Sequence, residues 1–420
     1  MVFSDFTGAQ SVFLWATFGV AVILGAVVNK TNFCTMGAVS DLVNIGDSGR
    51  MRAWFLAIAV AMLGVVILEA TGVVNASSSF PPYRGSRLIW AENLLGGVMF
   101  GIGMTLASGC GNKTLIRIGG GNLKSIIVLA VISVIAYFMI YPLPGSDQTL
   151  MSLLFYKWMS PLAIELKTNQ DLGSLIYPKN PLMARTVLGS VIALAILIVV
   201  FKSRDFRSSF DNILGGLVVG AVILAGWYIS SSLLSIHIGE EKYSLLSYAQ
   251  NWDFLADSAE GKPAEIRSLA AQSFTFINPM GQTLGYAMKG FAAKYLTFGI
   301  MAVFGVAVGS LLWSVLTRSF RIEWFVDMKD LVNHVIGAVL MGFGGVLAVG
   351  CTIGQGVTGT STLALGSIIA LVSIIFGSAI TMKIQLYKMV YEDAGFISAL
   401  ITGMVDMRLL PKGMRKLEAV

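Results

Sequence analysis

Between residues 11 and 381 the chain returns repeatedly to apolar runs as long as the hydrocarbon core of a bilayer is thick. About 20 apolar residues can cross lipid as a helix, because a helix satisfies its own backbone hydrogen bonds where water is absent. By this criterion we read about nine spans, at 11–29, 53–74, 88–108, 123–141, 182–201, 212–234, 291–316, 331–349 and 363–381. The runs are continuous, whereas barrel strands would alternate. The predicted fold class is therefore an all-α polytopic membrane protein. Composition agrees, with 55% hydrophobic and 12% charged residues.

Two of these spans end alike. Gly96, Gly101, Gly103, Leu106, Ala107, Gly109 and Cys110 meet Gly337, Gly342, Gly344, Leu347, Ala348, Gly350 and Cys351 at one constant offset. Each copy is an apolar, glycine-rich helix that stops at Gly-Cys and continues as a short polar segment. Two further short segments, 33–45 and about 276–286, carry Phe33-Cys34-Thr35-Met36-Gly37 and Ile277-Asn278-Pro279-Met280-Gly281, which align at nearly the same offset and pair Cys34 with Asn278. We read four short re-entrant segments and two pseudo-repeats, 11–141 and 212–385, joined by 142–211. A competing match of Phe18–Val22 with Phe304–Val308 is out of register and is set aside.

Basic loops orient the chain. Lys202, Arg204 and Arg207 lie in a tight loop, and Arg408, Lys412, Arg415 and Lys416 in the tail; Glu240, Glu241, Asp253, Asp257, Glu260 and Glu265 mark a hydrophilic loop at 237–273. Placing the former inside puts the N-terminus outside and the C-terminus inside, with Arg84 and Arg87 against the trend. Spans ending at Cys110 and Cys351 then run in opposite directions, the pattern of an inverted repeat with its site near the midplane. The net charge of +6 is topology signalling and not a nucleic-acid footprint. Lys30, Arg50 and Arg52 read the same way, and Glu69 as a satisfied polar group near a span's end. No lysine or arginine precedes Lys30, so the basic region of a cleaved signal peptide is absent.

Irregular backbone inside a membrane is tolerated where it is enclosed by protein or lines a cavity. Short segments meeting there aim helix N-termini, with unpaired N–H groups, at the centre, which suits an anion. Candidate lining residues are Gly109, Asn112 and Lys113 in the first break, Gly350, Thr352 and Gln355 in the second, and Asn278. For a plain oxyanion a serine would donate better than the weak S–H of cysteine. Cysteine makes sense if the solute carries polarizable sulfur. An apolar setting keeps a thiol neutral, and neutrality matters. A thiolate about 4 Å from a dianion would repel it by roughly 8 kcal/mol at an effective dielectric near 20.

The segments around Cys34, Cys110 and Cys351 resemble the three cysteine motifs of the YeeE/YedE sulfur-transport family, a similarity covering about residues 15–385. The resemblance implies an hourglass-shaped bacterial inner-membrane protein that takes up thiosulfate, passed between the three thiols by transient S–H···S contacts. It also implies a TusA-like sulfur-carrier partner at the cytoplasmic side. No cofactor is implied. Three cysteines without a CxxC or a Cys/His cluster indicate neither a disulfide framework nor a metal site. Two other readings stay open at this point: a membrane thiol oxidoreductase, which would need two thiols close enough to pair, and a passive channel for another small oxyanion.

Overall fold

Capping residues decide where several helices begin, and this shifts their boundaries from those read by hydropathy. The computed structural model describes residues 1–256 and 261–418; Asp257 and Glu260 of the acidic loop lie outside them. Helix α1 (Phe6–Thr31) starts five residues before the predicted span because the Asp5 carboxylate accepts the Gly8 N–H at 2.6 Å. It is followed by the short α2 (Thr35–Ser40), then α3 (Gly49–Ala70), α4 (Trp90–Leu106), the short α5 (Gly111–Gly119) and α6 (Leu123–Ile140). The second half holds α7 (Pro181–Phe201), α8 (Phe210–Ser231), the short α9 (Ile277–Met288), α10 (Phe298–Leu316), α11 (Met328–Leu347) and α12 (Leu365–Val390). Among the described residues nine helices, some with a broken continuation, are long and apolar enough to cross a membrane. The fold is an all-α polytopic membrane protein.

Two other boundaries also differ. The predicted 291–316 span begins at Phe298 because Thr297 caps it, accepting the Ile300 N–H at 3.2 Å. Helix α12 continues past residue 381, where its Lys383 is neutralised by a further helix, α13 (Phe396–Asp406). Lys383 lies 3.7 Å from Asp406, and the Tyr387 hydroxyl donates to the same carboxylate at 2.6 Å.

The glycine-rich helices pack at the centre. α4 lies against α11 and α12, and α11 against α6. At one crossing a Cβ on Gly103 would fall 2.6 Å from the Gly337 carbonyl oxygen, and a Cβ on Gly337 would fall 2.6 Å from that of Gly103. Backbone thus meets backbone, the close approach that small residues allow when lipid gives helices no hydrophobic reason to associate. The match between 18–22 and 304–308 also acquires an explanation. α1 packs along α10, with Gly305 and Gly309 against the backbone of Phe18 and Val22.

Short strands finish one face. β1 (Val2–Phe3), β2 (Arg87–Leu88), β3 (Ile164–Glu165), β4 (Ser235–Ile238) and β5 (Glu241–Ser244) form a sheet in the order β1-β4-β5 and a separate β2-β3 pair. We call this the loop face, since residues 142–181 cover it; the opposite face, with the 202–207 turn, is the basic face. Arg84, which hydropathy and charge counting placed as an orientation conflict, is 1% exposed here. It grips Glu69 at 2.5 and 2.9 Å and donates from Nε to the Thr362 carbonyl at 2.7 Å. Arg185 lies 3.8 Å from Glu69 and 2.9 Å from Asp171. Residues 170–172 in turn bond to 363–366 through Leu172 N–H to Leu363 O at 3.1 Å and Leu365 N–H to Gln170 O at 3.1 Å.

Candidate functional site

Three cysteines start three short elements, and each follows the same backbone device. Asn32, Ser108 and Val349 are left-handed, at φ 50°, 57° and 61°, and each stands two residues before a cysteine. A β-branched residue such as Val349 rarely adopts this conformation, so the turn is imposed by its surroundings. The two longer helix endings match in detail: Gly109 N–H reaches Met104 O at 2.8 Å, and Gly350 N–H reaches Gly345 O at 2.8 Å. This closure satisfies the last carbonyls of α4 and α11 and turns the chain so that the next residue opens a new helix. Cys34 is the N-cap of α2 and Cys110 that of α5, both in extended conformation and neither bonding its helix through the side chain. Cys351 precedes the helical stretch that contains the π-helical turn Gly354–Gly359, and its Sγ accepts the Gly354 N–H at 3.4 Å.

The thiols are free and buried, with exposures of 7%, 3% and 0% for Cys34, Cys110 and Cys351. Cys110 is the thiol with both others in electrostatic range, with Tyr83 near Cys351 and Lys113 near Cys34 and Cys110.

What surrounds them differs from end to end. On the basic side a polar cavity of about 630 Å³ includes Cys34, Asp41, Arg50, Ser108, Lys113 and Arg117 in its lining. Arg50 is held by Asp41 at 2.5 and 2.8 Å. Lys113 donates to Asn32 Oδ1 at 3.4 Å, and neither it nor Arg117 forms an ion pair among the described residues. On the loop side the corresponding space is about 20 Å³, bounded by Tyr83, Asn93, Gln170, Val349 and Gln355 among others. That volume admits about one water molecule.

Several buried polar atoms without a nitrogen or oxygen partner adjoin these groups: Tyr83 Oη, Gln355 Oε1 and Ser367 Oγ at the loop-side space, Thr352 Oγ1 beside Cys110 and Thr275 Oγ1 beside Cys351, with Thr35 Oγ1 and Asn112 Oδ1 one and two residues after their cysteines. Buried polar groups are nearly always satisfied, so a concentration of exceptions marks a place where something else binds.

The residues predicted from sequence are placed as follows. The Thr352 hydroxyl faces the Cys110 thiol, and Asn112, two residues after Cys110, leaves its Oδ1 open; Gln355 is fixed by donating from Nε2 to the Ala348 carbonyl and leaves Oε1 free. The Lys113 stem runs over Gly109, which has no side chain to obstruct it, and Gly350 leaves room for Gln355 and Thr275. Asn278 lies in the first turn of α9, where its Oδ1 accepts from Gln282 Nε2 at 3.3 Å, and its neighbours Ile277 and Met280 pack against Gly111. Sequence reading missed Thr275 and Tyr83, which come from loops with no motif, and Arg50, which it treated as a topology charge. The signal for Thr35 was its place directly after Cys34.

A family model described as Sulphur transport matches residues 30–380. The chain is also 25% identical over 363 residues to the thiosulfate transporter TsuA of Escherichia coli strain K12, covering 84% of this chain and 90% of that protein. It is 22% identical over 380 residues to the thiosulfate transporter TsuA of Spirochaeta thermophila, covering 87% and 97%. The family match spans most of the chain and takes in all three cysteine breaks: this protein belongs to the YeeE/YedE sulphur-transport family and is a transporter, not an enzyme.

Proposed function

We propose that the chain imports thiosulfate, or a closely related sulfur-containing anion, across a bacterial inner membrane by passing it between neutral thiols. The observation that carries this reading is the succession of three buried, free cysteines between a wide cationic cavity and a nearly closed mouth. The names of the relatives at 22–25% identity support thiosulfate as the solute.

In this reading the loop face is outside, the N-terminus is outside and the C-terminus inside. The solute enters past Tyr83, meets Cys351, Cys110 and Cys34 in turn, and leaves where Arg50, Lys113 and Arg117 raise the potential. S–H groups are weak donors, and several weak stations move an ion better than one strong one. Residues 11–141 and 212–385 are the two inverted halves of an hourglass; the matched endings at Ser108 and Val349 and the reciprocal Gly103–Gly337 contact support that pairing. A TusA-like sulfur carrier waiting at the inner cavity would give the movement direction by trapping. The test is thiosulfate uptake in cells lacking other sulfate and thiosulfate permeases. Cys110→Ala and Cys351→Ala should abolish uptake at unchanged membrane levels; parental uptake by both would refute the thiol relay.

A further inference from the structure

Each thiol has a threonine for a neighbour. Thr35 follows Cys34 in the chain, and the Thr352 and Thr275 hydroxyls face the thiols of Cys110 and Cys351. All three are more than nine-tenths buried, at 2%, 0% and 8% exposure, and none of their Oγ1 atoms has a nitrogen or oxygen partner; Thr352 and Thr275 have only a weakly bonding thiol in reach. Buried threonines elsewhere behave differently. Thr105 returns its hydroxyl to the carbonyl one turn back at 3.0 Å, Thr360 at 2.6 Å and Thr381 at 2.7 Å.

The difference has a structural cause. Thr35 and Thr352 are the first residues of new helices, where no helical turn precedes them to offer a carbonyl. Thr275 sits in extended chain with its Oγ1 against Gly354, where an added Cβ would fall 2.3 Å from it. Glycine at 354 thus makes room for a hydroxyl beside the sulfur of Cys351. Leaving three hydroxyls desolvated with no partner stronger than a thiol disfavours the empty protein, which makes sense if an occupant pairs with them.

We infer that each thiol and its threonine form a two-headed station, the sulfhydryl meeting a sulfur atom of the solute and the hydroxyl donating to its oxygen end. This inference rests on the sulfur-anion reading above and narrows it. The solute must present a soft atom and a hard, charged oxygen at one time, as thiosulfate does, and it must keep a similar attitude at successive stations. Sulfate offers no soft atom and sulfide no oxygen, so each engages half of a station.

The test compares Thr275→Val and Thr352→Val, nearly isosteric, with Thr275→Ser and Thr352→Ser. Thermal melting of the purified proteins is read alongside labelled thiosulfate uptake. The valine variants should melt at or above the parental temperature, because a buried hydroxyl with no partner stronger than a thiol has been removed. Their uptake should nevertheless fall by about tenfold or more, as expected when a recognising hydrogen bond is lost, and serine should restore it. Parental uptake by both valine variants would overturn the inference, and so would a loss of uptake that follows a lowered melting temperature and is not restored by serine. Cys110→Ala and Cys351→Ala measured in parallel separate the two levels. If the cysteine variants lose uptake while the valine variants keep it, the relay stands and the stations do not; if all keep it, the relay itself is wrong.

Discussion

The two ends of the thiol line are built from similar breaks and closed in opposite ways. At the basic end, α5 begins at Cys110 and its first turns carry Lys113 and Arg117 into an open, cationic cavity. At the loop end, the stretch after Cys351 carries neutral groups and is covered by two loops, one bringing Tyr83 and the other Gln170. The loops are pinned by Arg84 and Arg185 to buried carboxylates. The contrast teaches that the cysteine break sets where a thiol stands, while the loops and charges around it set which side can reach it.

The largest effect should come from the ion network under the loop end. Arg84→Met leaves Glu69 buried with only the Ala76 N–H at 3.3 Å and Arg185 at 3.8 Å, and removing one member of a buried pair costs about 3–5 kcal/mol. Arg50→Met removes a half-exposed partner of Asp41 and should cost under about 1 kcal/mol. Thermal unfolding of both variants in the same detergent checks the difference; similar losses would erase the contrast between a rigid loop end and a looser basic end.

Next, charge at the basic end should control flux. Lys113→Met, which removes an unpaired cation one turn from Cys110, should lower the initial rate of thiosulfate uptake by about tenfold at low salt and less at high salt. A salt-independent loss would point to altered packing. Smaller again is the effect of opening the other end. Tyr83→Ala should make Cys351 react several times faster with a membrane-impermeant thiol reagent applied to the loop face, read in a background where Cys34 and Cys110 are serine. Unchanged reactivity would mean that another group seals the mouth. Smallest is Asn278→Ala, which should leave uptake within about twofold of the parent, the scale of a change away from functional contacts, because the Asn278 Oδ1 is already engaged by Gln282.

Much of this was legible in the chain. Apolar run length located the crossing helices, since lipid dictates both, and the Gly-Cys endings located the breaks, since glycine there leaves room for the Lys113 and Gln355 side chains. What escaped was pairing across distance. Hydropathy reports that Arg84 is charged and not that Glu69 and Thr362 O await it, so it read as a misplaced topology charge. Likewise Lys383 looked like the end of a span because the carboxylate that neutralises it, Asp406, is more than twenty positions away. Thr275 carries no motif; its importance comes from the space left by Gly354, which exists only once the chain is folded.

The central claim is that the solute occupies the thiol line, and protection of a thiol by the solute tests it most directly. Cys34, at the cavity, can be alkylated in inside-out vesicles by an impermeant maleimide, with and without thiosulfate. The account predicts that thiosulfate slows alkylation of Cys34 in a concentration-dependent way, whereas sulfate at equal ionic strength does not. Alkylation at the same rate with and without thiosulfate, at concentrations that saturate uptake, would contradict it.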